Sequence, residues 1–148
     1  MNSNLQSQLS YKLIKNGFAL FLLGLLTGFV IPAMRNPRLG LSSHLEGVMN
    51  GMFLILLGIV WSKLSLTPAL QKWGFWLALI GTYTNWATTL LAGFWGAGAE
   101  LMPIAGGGLQ GLFWQEILIK IGLGSLSVAM LAVCLLVIWG LKPPALEE

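Results

Sequence analysis

Charge is scarce in this chain: 148 residues hold eight Lys and Arg, five Asp and Glu, and a single histidine. An ordinary soluble domain is about a quarter charged, against 9% here, so the chain has too little polar surface to enclose a large water-soluble core. Cysteine is limited to Cys134, which excludes an intrachain disulfide and leaves packing as its expected role. One histidine and one cysteine also make a zinc site a weak candidate, because zinc takes three or four N, S or O ligands. The basic residues form no stripe with interleaved aromatics that would follow a phosphate backbone, so nucleic acid is set aside. No nicotinamide fingerprint and no Ser or Cys nucleophile motif is present.

Apolar residues fill the space that charge leaves. They make up 56% of the chain, and mean hydropathy is +0.80. Four apolar runs, approximately 13–34, 43–61, 73–95 and 113–141, each approach the roughly 20 residues that cross about 30 Å of hydrocarbon. Segments rich in Pro, Gly and charge separate them: RNPRLGLS, SKLSLTPALQK and GAGAELMPIAGGGLQG. The runs are too long for barrel strands and do not alternate as such strands must. The expectation is one all-α transmembrane domain over 1–148, an integral membrane four-helix bundle. A polar, basic leader with Lys12 and Lys15 precedes the first run, but no small-x-small cleavage site follows, so the first helix is expected to be retained.

Lys12, Lys15, Lys63, Lys72 and Lys142 fall on the side shared by both termini, and Arg35 and Arg38 on the other. This excess of positive charge predicts cytoplasmic termini.

Much of the glycine lies within the runs. Gly24 and Gly28 form a GxxxG pair, and Gly122, Gly124, Ser125 and Ser127 a patch of small residues. Small residues let helices approach closely in lipid, either within one chain or between subunits of an oligomer.

The histidine, His44, opens the second run, and an ionisable group in such a helix is a functional candidate by default. At 100° per residue, Gly51, Gly58 and Gly47 stand about 20°, 40° and 60° from it. A flat group lying on that glycine stripe, ligated at its centre by one imidazole, fits the pattern; haem needs only one histidine and keeps its sixth position open. The alternative is an interfacial histidine bonded to Ser42, Ser43 or a backbone carbonyl. Ser42 or Ser43 also suits the helix N-cap. Glu46 and Asn50, four apart, share a face. TYTNWATT places Tyr83 and Asn85 in the third run, with Thr82, Asn85, Trp86 and Thr89 along one side. Buried amides need partners, so Asn50 and Asn85 are either interhelical bonds or parts of a site. Glu116 and Lys120 are spaced for a structural ion pair.

NPRLGLSSHLEGVMNGMF, followed by GTYTNWATTLLAGFWGAG, resembles the hydroxylaminobenzene mutase and styrene oxide isomerase family of small bacterial membrane isomerases. The resemblance covers most of the chain. It implies a homotrimer in the bacterial inner membrane, with ferric haem b between adjacent subunits and His44 as axial ligand. Gly47 and Gly51 would then flank the cofactor, and Asn50 and Tyr83 would orient a small aromatic substrate, with Glu46 either catalytic or supporting. The reaction implied is rearrangement of aryl hydroxylamines to 2-aminophenols; isomerisation of aryl epoxides to aldehydes is the alternative. Phe53, Trp86, Phe94 and Trp95 are candidates for the pocket wall, although tryptophans in membrane proteins also form belts at the interface. Two other classes stay open: a haem-bearing electron-transfer or sensor subunit, and a small transport or assembly protein that needs no haem.

Overall fold

A computed structural model describes residues 2–141. Lys142, which contributes to the charge asymmetry, lies outside them. Among the described residues the secondary structure is helical with no strand: α1 Asn2–Val30, a 3-10 turn Ile31–Ala33, α2 Pro37–Trp61, α3 Pro68–Trp95, a one-turn α4 Pro103–Gly106 and α5 Phe113–Gly140.

Three helices start earlier than hydropathy predicts. The polar leader is helical and packed, not a free tail: the Gln6 side chain donates to the carbonyls of Trp61 and Leu64, 2.7 and 2.9 Å away, and so caps the end of α2. Polar side chains that satisfy another helix's terminal carbonyls escape a hydropathy window altogether. α2 begins at Pro37, not at residue 43, because Asn36 is its N-cap, accepting from the N–H groups of Arg38 and Leu39. Proline at the first position completes the start signal. Ser42 and Ser43 are therefore interior; Ser42 bonds back to Arg38 and Ser43 donates to the Trp86 carbonyl of α3. α3 starts at Pro68 behind its cap Thr67.

α1 and α2 run antiparallel in close contact. Ser10, Gly17 and Gly24, seven residues apart, meet Gly58, Gly51 and Gly47; a Cβ on Gly24 would lie 2.6 Å from the Gly47 carbonyl carbon. A seven-residue repeat keeps one seam of each helix facing its neighbour. The GxxxG glycines thus serve packing within the chain. Gly122 packs on Thr88, whereas Gly124 has open space.

α2 and α3 pack on each other, α1 reaches α3 as well, and α5 packs against α3 without an extended interface to α1 or α2. α1, α2 and α3 thus pack mutually as a three-helix cluster, and α5 adds to the outside of α3 rather than closing a four-helix bundle among the described residues. α1, α2 and α5 are long and apolar enough to cross a membrane, and the chain is a membrane protein; α3, at 28 residues, is long enough but more polar. Leu13, Leu20, Leu54, Trp61, Phe75 and Ala78 form the main core. Trp73 and Trp139 are exposed near one end and Trp114 near the other, as belt residues are. The start of α1, the loop 62–67 and the end of α5 share one end, where Ser65 N–H donates to the Gly140 carbonyl.

The long α3–α5 connection is held by Glu116. Its two carboxylate oxygens each accept a backbone N–H, from Gly98 and Gly111, both at 2.8 Å. Lys120 pairs with Glu100 instead of Glu116, because the loop has already claimed that carboxylate. Hydrogen bonds to a charged group contribute about 1.5–3 kcal/mol, so Glu116→Ala is expected to destabilise the protein by about 2 kcal/mol. Faster proteolysis between residues 98 and 111 would register it.

Candidate functional site at the α1, α2 and α3 contact

His44 sits in the second turn of α2, beside α1. Its Nδ1 is 2.8 Å from the Gly24 carbonyl oxygen. A carbonyl only accepts, so Nδ1 must carry a proton and donate. In the neutral imidazole, Nε2 then keeps its lone pair. Gly28 makes the room: a Cβ there would stand 3.2 Å from Nδ1 and 3.5 Å from Cε1. This backbone bond was among the alternatives open to the sequence, and it is the usual support for a ligating histidine as well, since it fixes tautomer and ring direction. Because His44 is the sole histidine, nitrogen NMR of histidine-labelled protein is expected to show a protonated Nδ1, whatever the state of Nε2. A signal from the Nε2–H tautomer would contradict the geometry.

The glycine stripe does not form a bed for a flat group. Gly47 and Gly51 are buried under α1: a Cβ on Gly47 would come within 2.9 Å of both Gly24 N and the Trp86 ring, and one on Gly51 within 2.6 Å of Phe21 N. Their part in the site is to draw α1 close enough for Gly24 to reach His44. Helical periodicity locates such a stripe but cannot say whether a ligand or a helix covers it.

A second polar group lies at the α2–α3 contact. Glu46 Oε2 accepts from Asn50 Nδ2 at 3.1 Å and, in a short hydrogen bond, from Asn85 Nδ2. Asn50 is buried, while Glu46 and Asn85 are half-buried. Asn85, read from sequence as interhelical glue or site, therefore belongs to the same cluster as Glu46 and Asn50. Tyr83 does not: its hydroxyl donates to the Asn16 carbonyl of α1 at 3.1 Å. Tyr83 and Asn85, two apart, point to opposite sides of α3. Thr82 and Thr89 bond carbonyls of their own helix.

Between these groups stands Trp86. Its indole N–H donates to Thr27 Oγ1 at 3.0 Å, and its carbonyl receives Ser43. One residue of α3 thus ties α1 and α2 together within a turn of the His44–Gly24 bond. Thr27 and Asn16 were not legible as site residues, for nothing local distinguishes them, and Gly24 was legible only as a packing residue of the GxxxG pair.

On α2, Glu46 and Asn50 lie about 160° and 120° round from His44 on the α3 side. Exposed Leu41, Leu45, Met49 and Met52 occupy the arc facing away from α1 and α3. His44 and the carboxylate cluster therefore flank the outer face of α2 from opposite edges. The expected aromatic wall is dispersed: Trp86 turns to α1, Trp95 packs edge-on to Trp114 at 5.0 Å, and Phe94 is exposed. Phe53 lines an apolar groove of about 420 Å³ between α2 and α5, which Cys134 also lines; that cysteine is exposed rather than packed inside.

The styrene oxide isomerase family profile matches residues 9–142. Hydroxylaminobenzene mutase HabB of Ectopseudomonas oleovorans is 60% identical over 134 residues, which cover 90% of this chain and 82% of the relative. Hydroxylaminobenzene mutase HabA of the same organism is 43% identical over 129 residues, 87% of this chain and 96% of the relative. No solved structure matches. A profile spanning nearly the whole chain and two relatives matched over most of their length, both named as mutases, lead to one conclusion: the chain belongs to the styrene oxide isomerase family and is an isomerase.

Proposed function

We propose that this protein rearranges hydroxylaminobenzene-type aryl hydroxylamines to 2-aminophenols, using haem b held by His44. The observation that carries the reading is the His44–Gly24 bond, which commits Nδ1 to the backbone and leaves Nε2 as the nitrogen able to ligate iron. The 60% identity to a hydroxylaminobenzene mutase favours the hydroxylamine as substrate.

Ferric haem, when bound, supplies a Lewis acid that polarises the substrate oxygen. The chain's own residues do the rest. His44, held by α1, fixes where that chemistry takes place. Asn50, anchored by Glu46, orients the substrate. The apolar face of Leu41, Leu45, Met49 and Met52 excludes water that would divert a cationic ring. The reaction breaks the N–O bond and forms an ortho C–O bond, while the proton displaced from the ortho carbon is made good on nitrogen; atoms and electrons balance, so no nicotinamide is called for.

Assembly as a homotrimer, with haem between adjacent subunits, accords with this geometry. His44 and the Glu46–Asn50–Asn85 cluster lie at opposite edges of one exposed face, so in a ring the His44 edge of one copy meets the cluster edge of the next. α3 is the fourth span in this reading: its polar groups bond α1, α2 or their own helix, which removes their cost in lipid. The termini are cytoplasmic and the membrane is the bacterial inner membrane.

Isomerisation of an aryl epoxide is the second reading, favoured by the name of the family profile. An electron carrier or sensor would want a second protein ligand to the iron; Met49 and Met52, on the helix of His44, would supply one only from a neighbouring copy. Purified protein is expected to show a Soret band and, without oxygen, to convert hydroxylaminobenzene to 2-aminophenol faster than styrene oxide to phenylacetaldehyde. A reversed preference selects the epoxide reading, and no product from either selects the carrier or sensor.

A further inference from the structure

We infer that Glu46 and Asn85 hold Asn50 as a hydrogen-bond acceptor, so that the site selects ligands carrying an N–H or O–H donor over ethers and epoxides, which carry none. The inference rests on the reading that Asn50 faces the substrate, and it names a basis for choosing between the two substrate classes.

An asparagine can offer a ligand either end of its amide. Here the choice is made by Glu46. Its Oε2 accepts from both Asn50 Nδ2 and Asn85 Nδ2, so each amide must turn its nitrogen toward the carboxylate. With Glu46 ionised, reversing Asn50 would set Oδ1 against Oε2, two acceptors with no proton between them. Asn85 keeps the carboxylate from following such a reversal, because it anchors Oε2 from a different helix. Asn50 Oδ1 is thus the end left for a ligand. Among the described residues it has no protein partner, and it is not among the sealed polar atoms, which are Trp61 Nε1 and Gln71 Oε1.

An aryl hydroxylamine presents an N–H and an O–H to such an oxygen. An epoxide has only an acceptor and would face lone pair with lone pair. A site built around one hydrogen-bond polarity penalises a ligand that cannot supply it, because the buried group is left unpaired. Glu46 and Asn85 are positioning residues in this account; Asn50 alone touches the ligand.

Two measurements on the purified full chain test the inference. The first is kcat/KM for hydroxylaminobenzene and for styrene oxide in the wild type, Glu46→Gln and Asn85→Leu. A glutamine at 46 can itself donate, which frees Asn50 to turn, so the preference for the hydroxylamine is expected to fall about tenfold in Glu46→Gln, through KM more than kcat. Asn85→Leu leaves α2 intact and is expected to lower it by about threefold. Both variants are expected to keep the wild-type Soret band, since His44 is held from the α1 side. The second is calorimetric binding of 2-aminophenol against 1,2-difluorobenzene, aromatic ligands with and without donors. Their affinity gap is expected to narrow in both variants. Equal losses for both substrates, an unchanged preference, or an unchanged affinity gap would each overturn the inference. If Glu46→Gln loses the Soret band, Asn85→Leu decides. Wild-type protein that converts neither substrate overturns the proposed function, while the calorimetric gap still judges the polarity of Asn50 separately.

Discussion

His44→Ala is expected to leave a folded protein that retains no haem and has lost about a thousandfold or more in isomerase activity. The fold is expected to survive because the bond removed is a single side-chain contact, and the Gly24 carbonyl belongs to the interior of α1, where it keeps its helical partner. Activity is expected to collapse because the chain has no second histidine to replace the ligand. A Lewis acid contributes several kcal/mol to stabilising developing charge, and about 4 kcal/mol corresponds to a thousandfold in rate. The Soret band of the purified variant is the direct measurement. His44→Gly supplies the complement: added imidazole should occupy the vacated space and restore both the band and turnover. Retention of the band in His44→Ala would end the assignment of this residue as ligand.

Gly24→Ala is expected to be among the most damaging single methyl additions at the α1–α2 contact. The added Cβ would stand 2.5 Å from Val48 N and 2.6 Å from the Gly47 carbonyl carbon. These are backbone atoms of α2 and cannot rotate aside, so the two helices must separate. Overpacking of this kind costs about 3 kcal/mol, and in lipid little hydrophobic gain compensates, because close packing is itself what holds helices together. The same movement withdraws the Gly24 carbonyl from His44, so weaker haem retention should accompany the lower Tm. Gly124→Ala is the control. A Cβ at that position meets nothing within 4 Å, and its Tm should stay within experimental scatter of the wild type. Equal effects from the two substitutions would refute the account of the α1–α2 contact.

The separation between what hydropathy reveals and what packing adds runs through individual residues. Gly24, Gly47 and Gly51 were visible as small residues at helical spacing. Whether Gly47 and Gly51 received a cofactor or a neighbouring helix depended on how far α1 could approach, and that distance has no local signature. Asn36 is a clear cap once α2 is seen, yet it lies in the charged, proline-flanked segment that looks like a loop boundary. Gln6 makes the same point at the other end of α2, where a polar residue in a supposed leader finishes a helix 55 residues away. Tyr83 and Asn85 share one sequence motif but serve different contacts, since two residues along a helix reverse the direction of a side chain.

By itself the sequence determined the membrane environment, the helical secondary structure and the uniqueness of His44. Each of these is a property of composition or of a contiguous segment, summed residue by residue against the energetics of burial in lipid. Only the tertiary structure decided which nitrogen of His44 carries the proton, which helix covers the glycines, that Asn85 joins Glu46 and Asn50 while Tyr83 does not, and that α5 leaves the α1–α2 pair uncovered. The deciding bonds join residues 20 and 39 positions apart, His44 to Gly24 and Glu46 to Asn85. Their direction is set by helix rotation and approach, which arise from all the contacts of three helices together.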